Sequence, residues 1–194
     1  MKHYSKFSGL FVYPRKEALI TTVSQVQDIL VQGYPTLAGG LDEFSAFAHA
    51  HSDDALSEYY IKTFDVMASC YLDIGYVLFG EDYRRGEFLV NLLNEHIKAE
   101  NDCGKELPDH LPNMLNLLPK IADQLFAQEL AYSIMIPALK EMLKNFIDEV
   151  NVYKKLLEVL IKVMEIDFKD LNFKQFELLN NDKTNFLNNI NCKP

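Results

Sequence analysis

The sequence is short of several things, and each shortage excludes a class of protein. It holds three cysteines, Cys70, Cys103 and Cys192, far apart and without a Cys-x-x-Cys or Cys/His cluster. A disulfide framework and a structural zinc site are therefore not expected, and a reducing compartment fits. Basic residues are scarce: 19 Lys and Arg against 28 Asp and Glu give a net charge of −9. That argues against nucleic-acid binding, which needs a basic face for phosphates, and favours basic partners. No apolar run reaches the roughly 20 residues needed to cross a bilayer. No signal peptide is evident either, because the apolar stretch from Phe7 to Tyr13 is too short and is closed by Pro14. A cytoplasmic protein is expected. Period-two alternation is nearly absent, as are internal repeats, so sheet and solenoid architectures are set aside.

What is present is helical periodicity over 194 residues, 48% of them hydrophobic, enough for one domain with a proper core. Phe7, Leu10 and Phe11 predict a short first helix stopped by Tyr13-Pro14. Helices follow over 15–32 and 41–49. Ser52-Asp-Asp predicts a capped helix start, with Leu56, Tyr59, Tyr60 and Thr63 on the next helix. Asp65 is expected to cap a further helix running through Met67, Tyr71, Ile74 and Leu78 to a terminating Gly80. Another is expected over 84–99. The stretch 121–145 reads as one long helix kinked or divided by Pro137, and the same periodicity continues over 146–164. The expected architecture is a single-domain all-α helical bundle over 1–166. A tail, 167–194, carries Asn172, Asn180, Asn181, Asn185, Asn188, Asn189 and Asn191 and is expected to be partly docked, through Phe173, Phe176 and Phe186, or frayed.

Three motifs stand out. In Glu106-Leu-Pro-Asp109-His110-Leu-Pro112, two prolines forbid a smooth helix. Asp109 is a candidate N-cap for the helix that follows; alternatively, a rigid turn presents Glu106, Asp109 and His110 to a partner. A metal site is not expected, since Glu106 and His110 fall short of three ligands. In Gly80-Glu-Asp-Tyr-Arg84-Arg85-Gly86, no Walker or dinucleotide-binding pattern is present. At least one arginine is expected in an internal ion pair with Asp65, Asp73 or Glu81, Asp65 being the foremost candidate. Tyr59, Tyr60, Phe64, Tyr71, Tyr76 and Phe79 form a stripe at helical spacing, which reads mainly as core. Ser69 and Cys70 have no sequence neighbour suggesting a base, and nothing argues for catalysis.

Together, Tyr60-x-x-x-Phe64-Asp65, Gly80, Arg85-Gly86 and Glu106-Leu-Pro-Asp-His-Leu-Pro112 resemble the nitrate reductase delta-subunit family. This is the NarJ type of molybdoenzyme assembly chaperone, among the TorD-type maturation proteins. The resemblance covers about 59–118 well, and the early Tyr13-Pro14 also fits. Departures are Asn116 where the family commonly has an acid, Tyr83 where it often has an arginine, adjacent Arg84 and Arg85, and a short C-terminus. The resemblance implies an all-helical chaperone with no catalytic centre, metal or cofactor of its own. Its implied partner is the apo catalytic subunit of a molybdopterin oxidoreductase, through that subunit's N-terminal segment. Tyr60, Phe64, Asp65, Arg85, Glu106, Asp109 and His110 are the residues expected to bind the client or shape its site. Two other classes are kept open: a helical metal-dependent enzyme using Glu106, Asp109 and His110, and a permanent structural subunit of a redox complex.

Overall fold

The computed structural model describes residues 1–66, 68, 70–146, 150–169 and 172–177. Its helices are α1 (Tyr4–Ser8), α2 (Lys16–Gly33), α3 (Asp42–Ala50), α4 (Asp53–Phe64), α5 (Ile74–Phe79), α6 (Tyr83–Lys98), α7 (Leu111–Leu117), α8 (Gln124–Glu129), α9 (Ile136–Asn145) and α10 (Val152–Asp167). The architecture is an all-α bundle, and among the described residues the only sheet-like feature is an isolated bridge between Asp73 and His110. No described helix is long and apolar enough to cross a membrane.

The centre is α10. Tyr153, Leu156, Leu157, Val159, Leu160, Ile161, Val163 and Met164 are all buried, and a helix apolar nearly all round belongs inside. It packs against α9 and α3, and α9 in turn packs against α5. The first helix is shorter than its apolar spacing predicts, ending at Ser8, but Phe7, Leu10 and Phe11 are buried as expected. It packs on α7, with Ser8 Oγ donating to Asn116 Oδ1 at 2.9 Å. Ser52 caps α4 by accepting from the Ala55 N–H at 3.3 Å, and Gly80 ends α5 with φ +62°, as the sequence implied.

Two helix predictions need correction. Of the stretch expected to run helically from Asp65 to Phe79, the described residues are helical only from Ile74, and Met67 and Ser69 lie outside the described residues. Leu72–Ile74 instead pair with 109–111 through Ile74 N–H to Asp109 O and Leu111 N–H to Leu72 O, both 2.9 Å. Backbone groups committed to that pairing are withdrawn from a helix, and Asp65 caps the end of α4 through its own N–H rather than starting a new helix. The long helix expected over 121–145 starts at Gln124, where Asp123 caps the N–H groups of Leu125 and Phe126. It is divided where Pro137 requires it. A π-helical stretch, Leu130–Met135, precedes α9, and Pro137 has no N–H to offer the Ser133 carbonyl four residues back. The N–H of Phe176 bonds that carbonyl at 2.9 Å, and the Phe176 ring meets Phe79 edge-on at 5.4 Å. Phe186, Cys192 and the asparagines from 180 onward lie outside the described residues.

At the opposite end a carboxylate holds three elements together. Asp167, the last residue of α10, accepts from Tyr4 Oη (2.8 Å) and Tyr34 Oη (2.6 Å) and meets His3 Nε2 at 2.9 Å. The beginning of the chain, the end of α2 and the end of α10 are joined there.

Candidate functional site

The segment 106–112 docks across the entry to α5, and the reason is backbone pairing. With Ile74 and Leu111 bonded across the gap, Asp109 is fully buried with its carboxylate aimed at the first turn of α5. Its Oδ2 accepts from the Gly75 N–H at 3.0 Å, one of the donors left unbonded at a helix start. Arg85 Nε of α6 lies 3.5 Å from the same oxygen, and Arg85 Nη2 lies 3.8 Å from Asp73 Oδ2. These are ion-pair distances, longer than a well-formed hydrogen bond. The guanidinium also covers the Tyr76 ring at 5.2 Å, and His110 Nδ1 lies 3.4 Å from Asp73 Oδ1. Among the described residues Asp109 Oδ1 has no hydrogen-bond partner.

Two expectations change here. Asp109 caps α5, not the helix that follows it; His110 takes the N-cap position of α7, without a side-chain bond to that helix. The arginine pair exists: Asp73, one of the three expected acids, is one partner, and Asp109 rather than Asp65 is the other. Asp65 sits exposed at the end of α4, and Arg84 forms a bidentate pair with Asp82 at 2.9 Å. Burial pushes the Asp109 carboxyl above the usual carboxylate range, the charge of Asp73 adds to this, and Arg85 and the Gly75 N–H oppose it.

The close packing has a direct consequence. A Cβ at Gly75 would sit 2.8 Å from Asp109 Oδ2 and 2.9 Å from Phe88 Cδ1. Both neighbours are held from behind, so overpacking outweighs the better helix propensity of alanine. Gly75→Ala is expected to lower stability by about 1–3 kcal/mol, read as a shifted urea midpoint with an unchanged slope.

Side chains that sequence reasoning did not single out shape the loop before this turn. His96 is buried; its Nε2 is 3.0 Å from the Pro108 carbonyl, and its Nδ1 is 2.9 Å from Asn101 Nδ2. Asn113 Nδ2 donates to the carbonyls of Cys103 and Leu107. With a carbonyl at Nε2 and an amide N–H at Nδ1, the ring is neutral with its proton on Nε2, and burial lowers its pKa. The available signal was a histidine among the apolar positions of α6, followed by asparagines flanking the turn.

The aromatics form a second wall. Tyr60 and Phe64 are buried, stacking edge-on at 5.1 Å, and both meet Tyr153. The Tyr60 hydroxyl donates to the Phe11 carbonyl at 2.9 Å, and the half-exposed Tyr13 ring lies 5.8 Å away. Burial drives the Tyr60 phenol upward, and the nearby charges of Glu106, Asp65 and Asp73 add to it. Of the seven residues picked from sequence, Arg85, Asp109 and His110 thus meet around Asp73. Tyr60 and Phe64 form the adjoining wall, and Asp65 and Glu106 remain at the surface.

Two surface grooves flank these walls, and none of the seven lines either. One, shallow, runs along α4 between Tyr13, Ile61 and Val66, with Asp54 and Glu58 at its rim. The other, about 520 Å³, lies between α6 and α8. Its floor is Phe88, Leu92, Phe126, Leu130 and Ile134; its rim carries Glu95, Asp123 and Glu129, with Lys98 held at 2.7 Å by Glu95. Phe88, packed against Gly75, connects this groove to the buried pair. Among the described residues, no three or more His, Cys, Asp or Glu side chains are placed to hold a metal ion.

No family model matches the chain. It is 28% identical over 166 residues, 84% of this chain and 88% of the relative, to a protein of Bacillus subtilis (strain 168) named "Probable nitrate reductase molybdenum cofactor assembly chaperone NarJ".

Proposed function

We propose, from the premise that this is a NarJ-type chain, that it is a chaperone for a nitrate reductase or related molybdopterin oxidoreductase. It is a binding protein rather than a catalyst. It holds the catalytic subunit before molybdenum cofactor is inserted, gripping that subunit's N-terminal segment. The observation that carries the reading is the similarity to the Bacillus chaperone over most of both chains, joined to the motifs that build the Asp109 cluster.

The α6–α8 groove is the docking place this reading favours. Its volume is in the range of about 300–1,000 Å³ found for built binding pockets. An apolar floor under a charged rim suits an amphipathic helix laid along it. The rim has three acids and one lysine, the lysine already paired, so a segment with a basic polar face is preferred and its encounter is accelerated at low salt. In this reading Arg85, Asp109, His110, Tyr60 and Phe64 shape the walls, while Asp65 and Glu106 add surface charge. Asp109 is therefore a poor probe of contact: replacing it disturbs α5 before it disturbs a bound segment.

The test uses groove residues that carry little of the core. Phe126, half-buried, and Glu129 are replaced together as Phe126→Ser and Glu129→Lys, and a synthetic N-terminal peptide of the catalytic subunit is titrated by calorimetry. Binding is expected to weaken at least about tenfold, roughly 1.4 kcal/mol, while the thermal midpoint stays within a few degrees. Unchanged affinity rejects the groove. Failure of the unmodified protein to bind either the peptide or the intact apo subunit rejects the chaperone reading itself.

A further inference from the structure

Helix α6 is apolar on two opposite faces, and the groove and core use only one. Phe88 and Leu92 point inward. On the far side Tyr83 is 82% exposed, Val90 61%, Leu93 45% and Ile97 67%. With Gly86 these residues recur at intervals of three and four, 83-86-90-93-97. That is the seam spacing by which one helix packs along another. Scattered exposed apolar residues need no explanation, but a continuous stripe over four turns does.

Gly86 strengthens the case. A Cβ added there meets nothing within 4 Å, so the chain's own packing does not require glycine. Inside an exposed helix, glycine costs about 0.5–1 kcal/mol relative to alanine. A missing side chain at that place has a use if another helix approaches it closely.

We propose that this stripe is a self-association seam, through which two copies of the chain pair with their α6 helices antiparallel. The seam is self-complementary in one register. Val90 then faces Leu93 of the second copy, and Ile97 of the second copy sits over Gly86, where the space is open. The same register brings Glu87, near the start of α6, beside Lys98 of the second copy, near its end, where the largely exposed ammonium, 2.7 Å from its own Glu95, has donors left for a second carboxylate. Both residues lie on the same flank of the stripe, as a two-fold pairing demands. Opposed helix dipoles favour this antiparallel sense. A single helix pair lies near the low end of specific interface sizes, about 1,200 Å² or less, so the dimer is weak and concentration-dependent.

Sedimentation equilibrium of the full chain over roughly a hundredfold range of concentration tests this. A monomer–dimer equilibrium is expected, and Leu93→Glu, at an exposed position, should abolish it without lowering the thermal midpoint. Gly86→Ala should separate two effects: it raises fold stability through helix propensity while weakening dimerisation about tenfold. Glu87→Lys should weaken the dimer, and Glu87→Lys with Lys98→Glu should restore it. A monomer at every concentration, a dimer indifferent to Leu93→Glu, or no rescue by the double charge swap each overturns the proposal. So does a monomeric protein whose affinity for the client peptide falls on Leu93→Glu, since the stripe would then belong to the client. Peptide binding at concentrations where the chain is monomeric is read separately, so failure of the seam leaves the chaperone reading standing.

Discussion

Arg85→Ala is expected to destabilise the fold by about 3–5 kcal/mol at neutral pH, the loss typical of removing one partner from a buried ion pair. For a chain of this size the thermal midpoint falls by roughly 10 °C. Asp109 has no exposed surface, and among the described residues its Oδ2 accepts from the Gly75 N–H while its Oδ1 has no hydrogen-bond partner. Without Arg85 its buried charge faces that of Asp73 unopposed by the guanidinium. The sign of the pH dependence follows from the direction of its shift. Asp109 has a raised folded-state pKa, so its contribution is most favourable below the unfolded value and is lost as pH rises through the folded one. Removing Arg85 raises that folded value further. The deficit of the variant should therefore shrink as the pH is lowered and Asp109 takes up a proton. Asp109→Asn in the same chain keeps the acceptor for the Gly75 N–H and removes the charge, recovering about half of the loss. Urea unfolding of the two single variants and the double variant at neutral and acid pH measures all three quantities. A deficit that is independent of pH, with no recovery in the double variant, would assign the arginine's role to the packing of its stem on Tyr76 alone.

The second large effect is at the other end of the molecule. Asp167→Ala removes the acceptor of two tyrosine hydroxyls and the partner of His3. Tyr4 is fully buried, so its hydroxyl loses the acceptor that holds it. Hydrogen bonds to a charged acceptor contribute about 1.5–3 kcal/mol each, and a stranded buried donor costs about 1–3 kcal/mol. A loss of about 3–5 kcal/mol is expected. Burial pulls the Asp167 carboxyl upward, but the bonds from His3, Tyr34 and Tyr4 outweigh it and hold it below its ordinary value. A depressed acid contributes stability above its unfolded pKa, about 3.9, and that contribution disappears as pH falls through the folded value. Asp167→Asn should lose less at neutral pH than the alanine variant and should flatten the acid limb of the stability profile below about pH 4. A wild-type profile already flat there would show that the carboxylate is not held in its charged form.

Much of the architecture was legible because periodicity is a local property. The apolar spacing of α2 and α10, the cap at Ser52 and the stop at Gly80 depend on residues within one or two turns of each other. The divided helix before α9 follows from one residue's missing donor. The candidate residues were likewise legible as types: a buried arginine calls for a carboxylate, and two prolines call for a fixed turn. The groove between α6 and α8 was not, since its walls come from segments remote in the chain whose distance in space no local pattern specifies.

The sequence by itself determined an all-helical architecture, an internal arginine pair and a break in the helix ahead of Pro112, because propensity, desolvation and ring closure act at the residue itself. Which acid answers Arg85, which helix Asp109 caps, and which face of α6 is left uncovered were decided only in three dimensions. Each is a question of distance between segments remote in the chain. The backbone pairing of 72–74 with 109–111 settles the first two, carrying Asp109 to α5 and leaving Asp65 outside.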